Sequence, residues 1–573
     1  MSANEGIEGL FREIADMLAI QGEQQRRINA YKRAADSIAG LGRDVADVAR
    51  EGTLTDIPGI GKILAAKIEE YLATGTLELY ERLKGEIPPG VVAMLQIPDV
   101  GPKTASRVWK ELGVTTIDEL EAAARANKVQ QLPRFGAKTE ANLIAGIEAL
   151  RRFSGRTPLG VAWYLAYDMV AALSEAPQVL RIVPAGSLRR MRETIGDLDL
   201  LVAAEDAAPV MAAFRELPQV AEVVLSGPTK TTIRTEDGLQ VDLRVLEPAR
   251  WGTALQYFTG SQMHNVRLRE LARRKGYSLS ENSLKTEEGG EILCADEAEV
   301  YERLGVQWVP PELRQGRDEI ELAVHGNLPR LIERADLQGD LQMHSTGSDG
   351  KNTIAEMAEA ARALGHRYIL ITDHSHGMAV AGGLQVDELR QQRAEIEALN
   401  ASWDDFRVLA GTEVEIRGDG SLDFPDEVLA EMDLVVASLH TGLRSGRERT
   451  TERLLAAIRN PHVDMIAHPT GRLIGKREGA DLDMEAVLRA AAETGTAMEV
   501  NSYPDRLDLR DAHVRRAIEL GCKLAIDTDA HSARDLELLF FGVATARRGG
   551  ARAEDVINTW DVGRLLDWAG RDE

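Results

Sequence analysis

Cysteine is nearly absent: Cys294 and Cys522 are the only two in 573 residues, and they lie far apart in the chain. That excludes a disulfide framework and favours a reducing, cytoplasmic setting. No run of 18 apolar residues occurs, so no transmembrane helix is read and no membrane partner is expected. The opening Met-Ser-Ala-Asn-Glu-Gly has neither the basic region nor the apolar core of a signal peptide. Positive charge is also short, with 68 Lys and Arg against 92 Asp and Glu for a net −24. Taken alone, that argues against a nucleic-acid binder. The shortfall is uneven, however. Residues 1–300 carry 36 basic and 43 acidic side chains, residues 301–573 carry 32 and 49. The first part can still meet DNA through local basic patches and backbone amides. The second is rich in carboxylates for metal ions. Hydrophobic residues make up 44% of the chain, enough for several cores, and the length implies roughly three to five domains.

Residues 184–202 carry the first chemistry. Asp197 and Asp199 sit two apart at the start of an apolar run. In a strand they share a face, with Leu198, Leu200 and Val202 turned to a core. Paired carboxylates suit a divalent cation. Just upstream, Gly186-Ser187 offers a tight turn, and Arg189 and Arg190 follow, which suits a phosphate chain. Further on, Leu239-Gln-Val-Asp242-Leu-Arg-Val alternates as a strand with Val241, Leu243 and Val245 inward and Asp242 outward. A third carboxylate on a neighbouring strand would complete a two-metal site for nucleotidyl transfer.

The N-terminal third repeats a pattern. Ile57-Pro-Gly59-Ile-Gly61-Lys62 enters an amphipathic helix, as do Ile97-Pro-Asp-Val-Gly101-Pro-Lys103 and, more weakly, Leu132-Pro-Arg-Phe-Gly136-Ala-Lys138. The spacings are about 40 and 35 residues. A Gly-rich turn at a helix N-terminus presents N–H groups and a positive dipole end to a DNA phosphate, without reading sequence. Asp99 stands at the first Gly position of the second copy, and the third keeps one Gly, so both grips are expected to be weaker. The three copies resemble helix-hairpin-helix motifs.

With Tyr257-Phe258-Thr-Gly260-Ser261 and the later Asn265 and Arg269, the motifs fall in one order and spacing. The first 320 residues or so resemble a family X DNA polymerase of the DNA polymerase beta type. The resemblance implies that Asp197, Asp199 and Asp242 bind Mg²⁺ or Mn²⁺. It implies that Ser187, Arg190, Gly196 and Arg156 contact the incoming triphosphate, and that Tyr257 and Phe258 shape the sugar pocket. Asn265 would face the incoming base and Arg269 the template strand. Gln240 departs from the family, which leaves open how the primer end is held. Residues 29–35 and 61–67 resemble the family's small lyase domain, with Lys67 at the Schiff-base position. Lys67 as a phosphate-contacting or surface lysine is an equal alternative, because lyase chemistry requires nearby cations.

From residue 338 the pattern changes. Apolar runs of strand length end in metal-ligand residues, with helical segments between them: Gln342-Met-His344, Asp349, Asp373-His374, Glu413, His440, His468, Asn501, and Asp529-Ala-His531. This is the layout of a β/α barrel with its chemistry at strand C-termini. It resembles the polymerase and histidinol phosphatase (PHP) family. The resemblance implies a distorted seven-stranded barrel holding Zn²⁺ and/or Mn²⁺ for phosphoester hydrolysis. Its ligands would be His344, Asp349, His374, Glu413, His440, His468, Asp529 and His531. The family begins with His-x-His, and here Gln342 takes the first position. A neutral amide oxygen is a weaker and harder ligand, so either one metal is loosely held or Mn²⁺ is preferred. Arg506 reads equally as a phosphate contact or a surface residue. His366, His376, His462 and His513 read as structural or surface.

The expectation is thus a multidomain α+β and α/β protein. It comprises a lyase-like helical domain (1–88), helix-hairpin-helix fingers (89–150), a nucleotidyltransferase palm with mixed sheet (151–255), a thumb (256–312), a linker (313–337) and a PHP barrel (338–573). Bacterial members of the polymerase family share this order. The expected function is repair synthesis across short gaps in DNA from dNTPs, with 3′→5′ trimming by the second site, extending to 3′ phosphates and abasic sites. A monomer in the cytoplasm, associated with the nucleoid, is expected. Two alternatives remain: a small-molecule nucleotidyltransferase fused to a phosphatase, and a polymerase or DNA-binding scaffold whose PHP domain is largely structural.

Overall fold

The computed structural model describes residues 3–39, 45–57, 59–97, 100–133, 135–153, 156–176 and 178–570. The chain divides into two units. One is Met1–Ser154 with Gly475–Arg477, and the other is Gly155–Ile474 with Glu478–Glu573. No helix among the described residues is long and apolar enough to cross a membrane.

The first unit is all helical and has one core. The Ala3–Gln21 helix buries Ile7, Phe11, Ile14 and Leu18 along one face, at the i, i+4, i+7 spacing of an amphipathic helix. The same core takes in Leu64 and Ile68 as well as Val108, Leu120 and Ile147, so the regions expected as separate domains at 1–88 and 89–150 pack as one body. The three sequence repeats share one local structure. Each starts with a 3₁₀ turn (Leu54–Asp56, Met94–Gln96, Val129–Gln131). Each then closes on one backbone bond of 3.0 Å: Ile60 N–H to Ile57 O, Val100 N–H to Ile97 O, and Phe135 N–H to Leu132 O. A helix follows in each case (Lys62–Thr74, Pro102–Leu112, Ala137–Phe153).

The second unit begins with a five-stranded mixed sheet, in the order Arg181–Pro184, Asp197–Ala203, Gln240–Leu246, Lys230–Arg234, Glu222–Ser226. The Asp197 and Gln240 strands run parallel and their other neighbours antiparallel. Leu198, Leu200 and Val202 enter the core under the Leu159–Ser174 helix, as strand alternation predicts. Leu201 and Ala203 pack on the other face against Trp251 and Leu255. Helices Trp251–Thr259 and Gln262–Arg274, a small three-stranded sheet and helix Glu297–Arg303 follow.

Residues 313–337, expected as a linker, are packed in place. Arg314 is fully buried, and its guanidinium bonds Glu297 at 2.6 Å and the Val309 carbonyl at 2.8 Å. Glu319 caps Gly316 and Arg317 N–H groups and holds His264 at 2.9 Å. Ile332 N–H bonds Ala551 O. Two of its charged residues, Arg314 and Glu319, are paired and buried, while Arg317, Asp318 and Arg330 stay exposed.

The last 235 residues form a barrel of seven parallel strands in chain order, from Gly339–Met343 to Leu524–Asp527. Its ends meet through a parallel bridge between Met343 and Ala530 and the His344 N–H to Ala530 O bond of 2.8 Å. The palm core continues into this barrel: Leu507, Phe541 and Ala544 share it, and Trp163 packs on Phe540 at 5.0 Å with the rings tilted by 43°. Arg472 donates to Glu193 at 2.8 Å across the same junction.

Arg314→Ala is expected to destabilise the second unit by about 3 kcal/mol, because it removes one of the two guanidiniums that compensate the buried Glu297 carboxylate. Chemical denaturation of Arg314→Ala beside Arg267→Ala, a change at an exposed ion pair, checks this. Equal losses would remove the buried-pair account.

Candidate functional site: two metal centres

Parallel pairing sets Asp199 directly opposite Asp242 and Asp197 opposite Gln240. The three carboxylates thus gather at the end of two adjacent strands. Asp242 is 7% exposed and held from one side: Thr232 Oγ1 donates to it at 2.6 Å, Lys230 Nζ lies 2.7 Å away, and the Gln240 amide donates at 3.4 Å. Gly186 is confined to glycine on two counts. Its φ is +57°, and a Cβ there would lie 2.4 Å from Asp199 Oδ2. The turn Gly186–Arg189 is therefore pressed onto the carboxylate it faces. Burial first, then Asp197 and Asp242, push the Asp199 carboxyl up to about 7. Three acids this close cannot all ionise without a compensating cation, and their hard oxygen donors fit a divalent metal.

Above them opens a cleft of about 770 Å³. Every residue expected to contact the incoming nucleotide lines it, namely Arg156, Ser187, Arg190, Gly196, Tyr257, Phe258 and Asn265, together with Arg269, expected to meet the template strand. Arg156 is anchored on Thr194, at 2.9 Å to Oγ1 and 2.6 Å to the carbonyl. Arg190 bonds the Thr259 carbonyl, and burial with Arg548, Arg192 and Arg314 pulls its guanidinium down to about 10. Asn265 donates to Tyr257 O at 2.7 Å and accepts from Gln256 at 2.8 Å. The Arg269 guanidinium stacks over Tyr257 at 4.9 Å. Arg192 and Gln262 also line the cleft and were not anticipated. Arg189 turns away from it, bonding both Glu297 oxygens at 2.9 Å. It is a structural residue, although it adjoins Arg190.

The second centre sits at the barrel's C-terminal rim. Glu413 is its hub. His468 approaches it at 3.0 Å, His374 at 3.0 Å, His440 at 3.5 Å and His344 at 3.5 Å. Asp529 lies 3.2 Å from His344, and Asp349 lies 3.5 Å from His531. Ligand atoms of His344, Asp349, His374 and His531 fall within 4.8 Å of one another, as do those of His374, Glu413 and His440. All eight expected ligands thus converge. His468 and Asp529 hold positive φ (26° and 54°), an unfavourable backbone for non-glycine residues. Burial opposes charge on His374, yet Glu413, Asp349 and Asp529 outweigh it and carry the imidazole up to about 9. His531 reaches about 9 likewise, burial being overcome by Asp349 and Asp529. Gln342 is fully buried, and neither its amide oxygen nor its nitrogen has a hydrogen-bond partner. An orphan polar group beside this donor set fits a metal site. Arg506 reaches Asp529 at 3.6 Å.

Beyond the eight expected ligands, Asn501 at its strand end and the unanticipated Glu415 add support. Glu415 orients His440 Nδ1 at 2.9 Å, and Asn501 donates to Asp529 at 3.0 Å. Glu415 was within reach of the strand argument, being i+2 from Glu413. Neither cluster includes His366, His376, His462 or His513. Burial and Arg334 pull His366 down to about 4, which marks a neutral structural histidine.

In the first unit, Gly59, Gly61, Lys62, Gly101, Lys103, Gly136 and Lys138 are all exposed at helix N-termini. Asp99 lies outside the described residues, as does Arg134 at the matching place in the third copy. Lys67 lies 3.9 Å from Glu70, a carboxylate rather than the cations that Schiff-base chemistry calls for.

Family models match along the chain: a helix-hairpin-helix domain over residues 2–77, a SAM-like helix-hairpin-helix tandem over 91–149, a DNA polymerase beta thumb over 254–315 and a PHP domain over 340–503. The chain is 39% identical over 552 residues to the DNA polymerase/3′-5′ exonuclease PolX of Bacillus subtilis, spanning 96% of both chains. Two proteins described as probable phosphatases, from Thermoanaerobacter sp. and Syntrophotalea carbinolica, are each 30% identical. Each match spans 40% of this chain, and respectively 93% and 95% of the relative.

Two expectations follow. The raised Asp199 carboxyl means that the metal-free fold holds a proton the unfolded chain releases near pH 3.8. Its contribution is complete at low pH and is lost as pH rises toward 7. Asp199→Asn should therefore raise the metal-free Tm at pH 8 by a few degrees and change it little at pH 4. Calorimetry at both values checks this. At the second centre, His374 and His531 must shed protons to ligate. Metal affinity should climb from pH 6 toward 9, by about tenfold per unit for each proton displaced. Mn²⁺ titration with proton release in weak buffer measures it.

Proposed function

The chain belongs to the PolX family of family X DNA polymerases that carry a PHP domain, and from that membership we propose how its residues share two reactions. The protein is a DNA polymerase with a 3′-5′ exonuclease. In our reading Asp197, Asp199 and Asp242 form the polymerase centre, and the placement of Asp199 opposite Asp242 beneath the nucleotide cleft carries that reading. Ser187, Arg190, Gly196 and Arg156 would hold the dNTP triphosphate. The Tyr257–Phe258 pair, at 5.0 Å edge to face, would close the sugar pocket. Arg269 would meet the template strand. The exposed glycines and lysines of the three hairpins would hold the DNA backbone.

Divalent ions bound at the two clusters would supply the positive charge that activates an attacking oxygen and stabilises the phosphoryl transition state. We take Mg²⁺ or Mn²⁺ for the polymerase carboxylates. For the barrel we favour Mn²⁺ over Zn²⁺, because Gln342 brings an amide oxygen where imidazole would favour the softer ion. Arg506 would neutralise the scissile phosphate beside Asp529. Each centre draws its residues from one chain, which supports a monomer acting on gapped DNA.

Asp242→Ala should abolish primer extension on gapped DNA and leave trimming of a 3′-labelled strand intact. His374→Ala should do the reverse. Loss of both activities in either variant would overturn the division into two sites.

A further inference from the structure

The loop directly after His374 carries an apolar tip that the metal chemistry does not explain. From Gly377 to Gly383 it reads Gly-Met-Ala-Val-Ala-Gly-Gly, without one polar side chain in a protein that is 28% charged. Its base is pinned. Asp423 accepts Ser375 Oγ at 2.8 Å and Gly377 N–H at 2.7 Å, and Leu384 N–H bonds His374 O at 2.8 Å. A Cβ on Gly377 would lie 2.1 Å from the Asp423 carboxylate, and one on Gly383 would lie 1.9 Å from Ser375 O. Within the loop, Met378 N–H bonds Ser375 O and Ala381 N–H bonds Met378 O, both at 2.9 Å. The tip is therefore held in register with His374. Val380 there is 101% exposed, and it lines the same cleft of about 210 Å³ as His374, Asp529 and His531.

A single exposed valine is ordinary on a protein surface. A pinned, uncharged lip facing a metal cleft is a different matter, because it sits where the substrate must pass. We propose that Met378 and Val380 form a nucleobase subsite, taking the face of the base at the DNA 3′ end whose phosphodiester lies at the metal cluster. The inference rests on the exonuclease reading and deepens it. Charge divides the cleft accordingly, with Arg506 and the imidazoles toward phosphate and the lip toward something without charge. A nucleotide has both parts, whereas a sugar phosphate would leave the lip in water. Because the tip side chains offer no hydrogen-bonding group, contact with the base face is indifferent to sequence.

The test uses the full-length Mn²⁺-loaded protein and two 3′-terminal substrates, identical except that one ends in a base-bearing nucleotide and the other in an abasic analogue. Val380→Ser should raise KM for the base-bearing end about five- to tenfold, within the range for loss of one base contact. It should leave kcat, hydrolysis of the abasic end, and primer extension unchanged. Val380→Leu should restore the low KM. An equal change on both ends, or none on either, would overturn the subsite while leaving the exonuclease reading in place. A wild-type protein that extends primers and trims neither end would overturn that reading and the subsite with it.

Discussion

The carboxylate of Glu297 is the point on which the catalytic unit turns. It accepts both arms of Arg189 from the phosphate-facing turn, Arg314 from the approach to the barrel, and the Trp308 indole at 2.9 Å. Burial alone would raise such a carboxyl, yet the Arg314 and Arg189 guanidiniums hold it well below the usual range. A buried charge is tolerable only when its partners stay in place. The palm turn, the thumb and the segment entering the barrel are therefore bound to one another by electrostatics rather than by chain connection. The neighbouring His264 follows the opposite course. Burial leads there, Glu319 compensates only in part, and the imidazole is pulled down to about 4, a neutral spacer between Glu319 and Tyr301.

The two metal centres solve the same problem with different materials. In the palm, three acids are crowded until one resists ionisation, and Lys230 already answers Asp242. In the barrel, acids and imidazoles are interleaved around Glu413, whose carboxyl burial would raise but His374 and His440 hold well below its usual range. The first arrangement relies on hard oxygen donors alone. The second mixes nitrogen and oxygen, with a buried amide in the place of one nitrogen. Both preorganise charge before the substrate arrives.

Legibility followed the physics of each feature. The convergence of the eight acids and imidazoles at the barrel rim could be read because metal chemistry admits few residue types, and strand ends fix their places. The hairpins could be read because the Gly-rich turn recurs, and even the copy with one Gly keeps the same closing bond, since Leu132 and Val129 still bury as their counterparts do. Arg189 and Arg190 are indistinguishable as letters, and only the turn they occupy sends one to Glu297 and the other into the cleft. Lys230 gave no signal, because a lone lysine on a strand has no periodicity and its partner lies across the sheet. How the 313–337 segment packs could not be read, because prolines and charges look the same in a loose tether and in a packed connection. Its partners, Glu297, His264 and Ala551, are distant in the chain.

The bridge made by Arg548 has a final consequence. Its guanidinium bonds the Arg190 carbonyl at 2.6 Å and Asp511 at 2.6 Å, so the turn that lines the palm cleft is tied to a helix of the barrel. Trp163 packs on Phe540 at 5.0 Å and Arg472 pairs with Glu193, so palm and barrel are joined by packed and charged contacts as well as by the chain. Palm and barrel are thereby one mechanical piece: a strain at the barrel helix that carries Asp511 reaches the backbone of the cleft-lining turn through a single guanidinium.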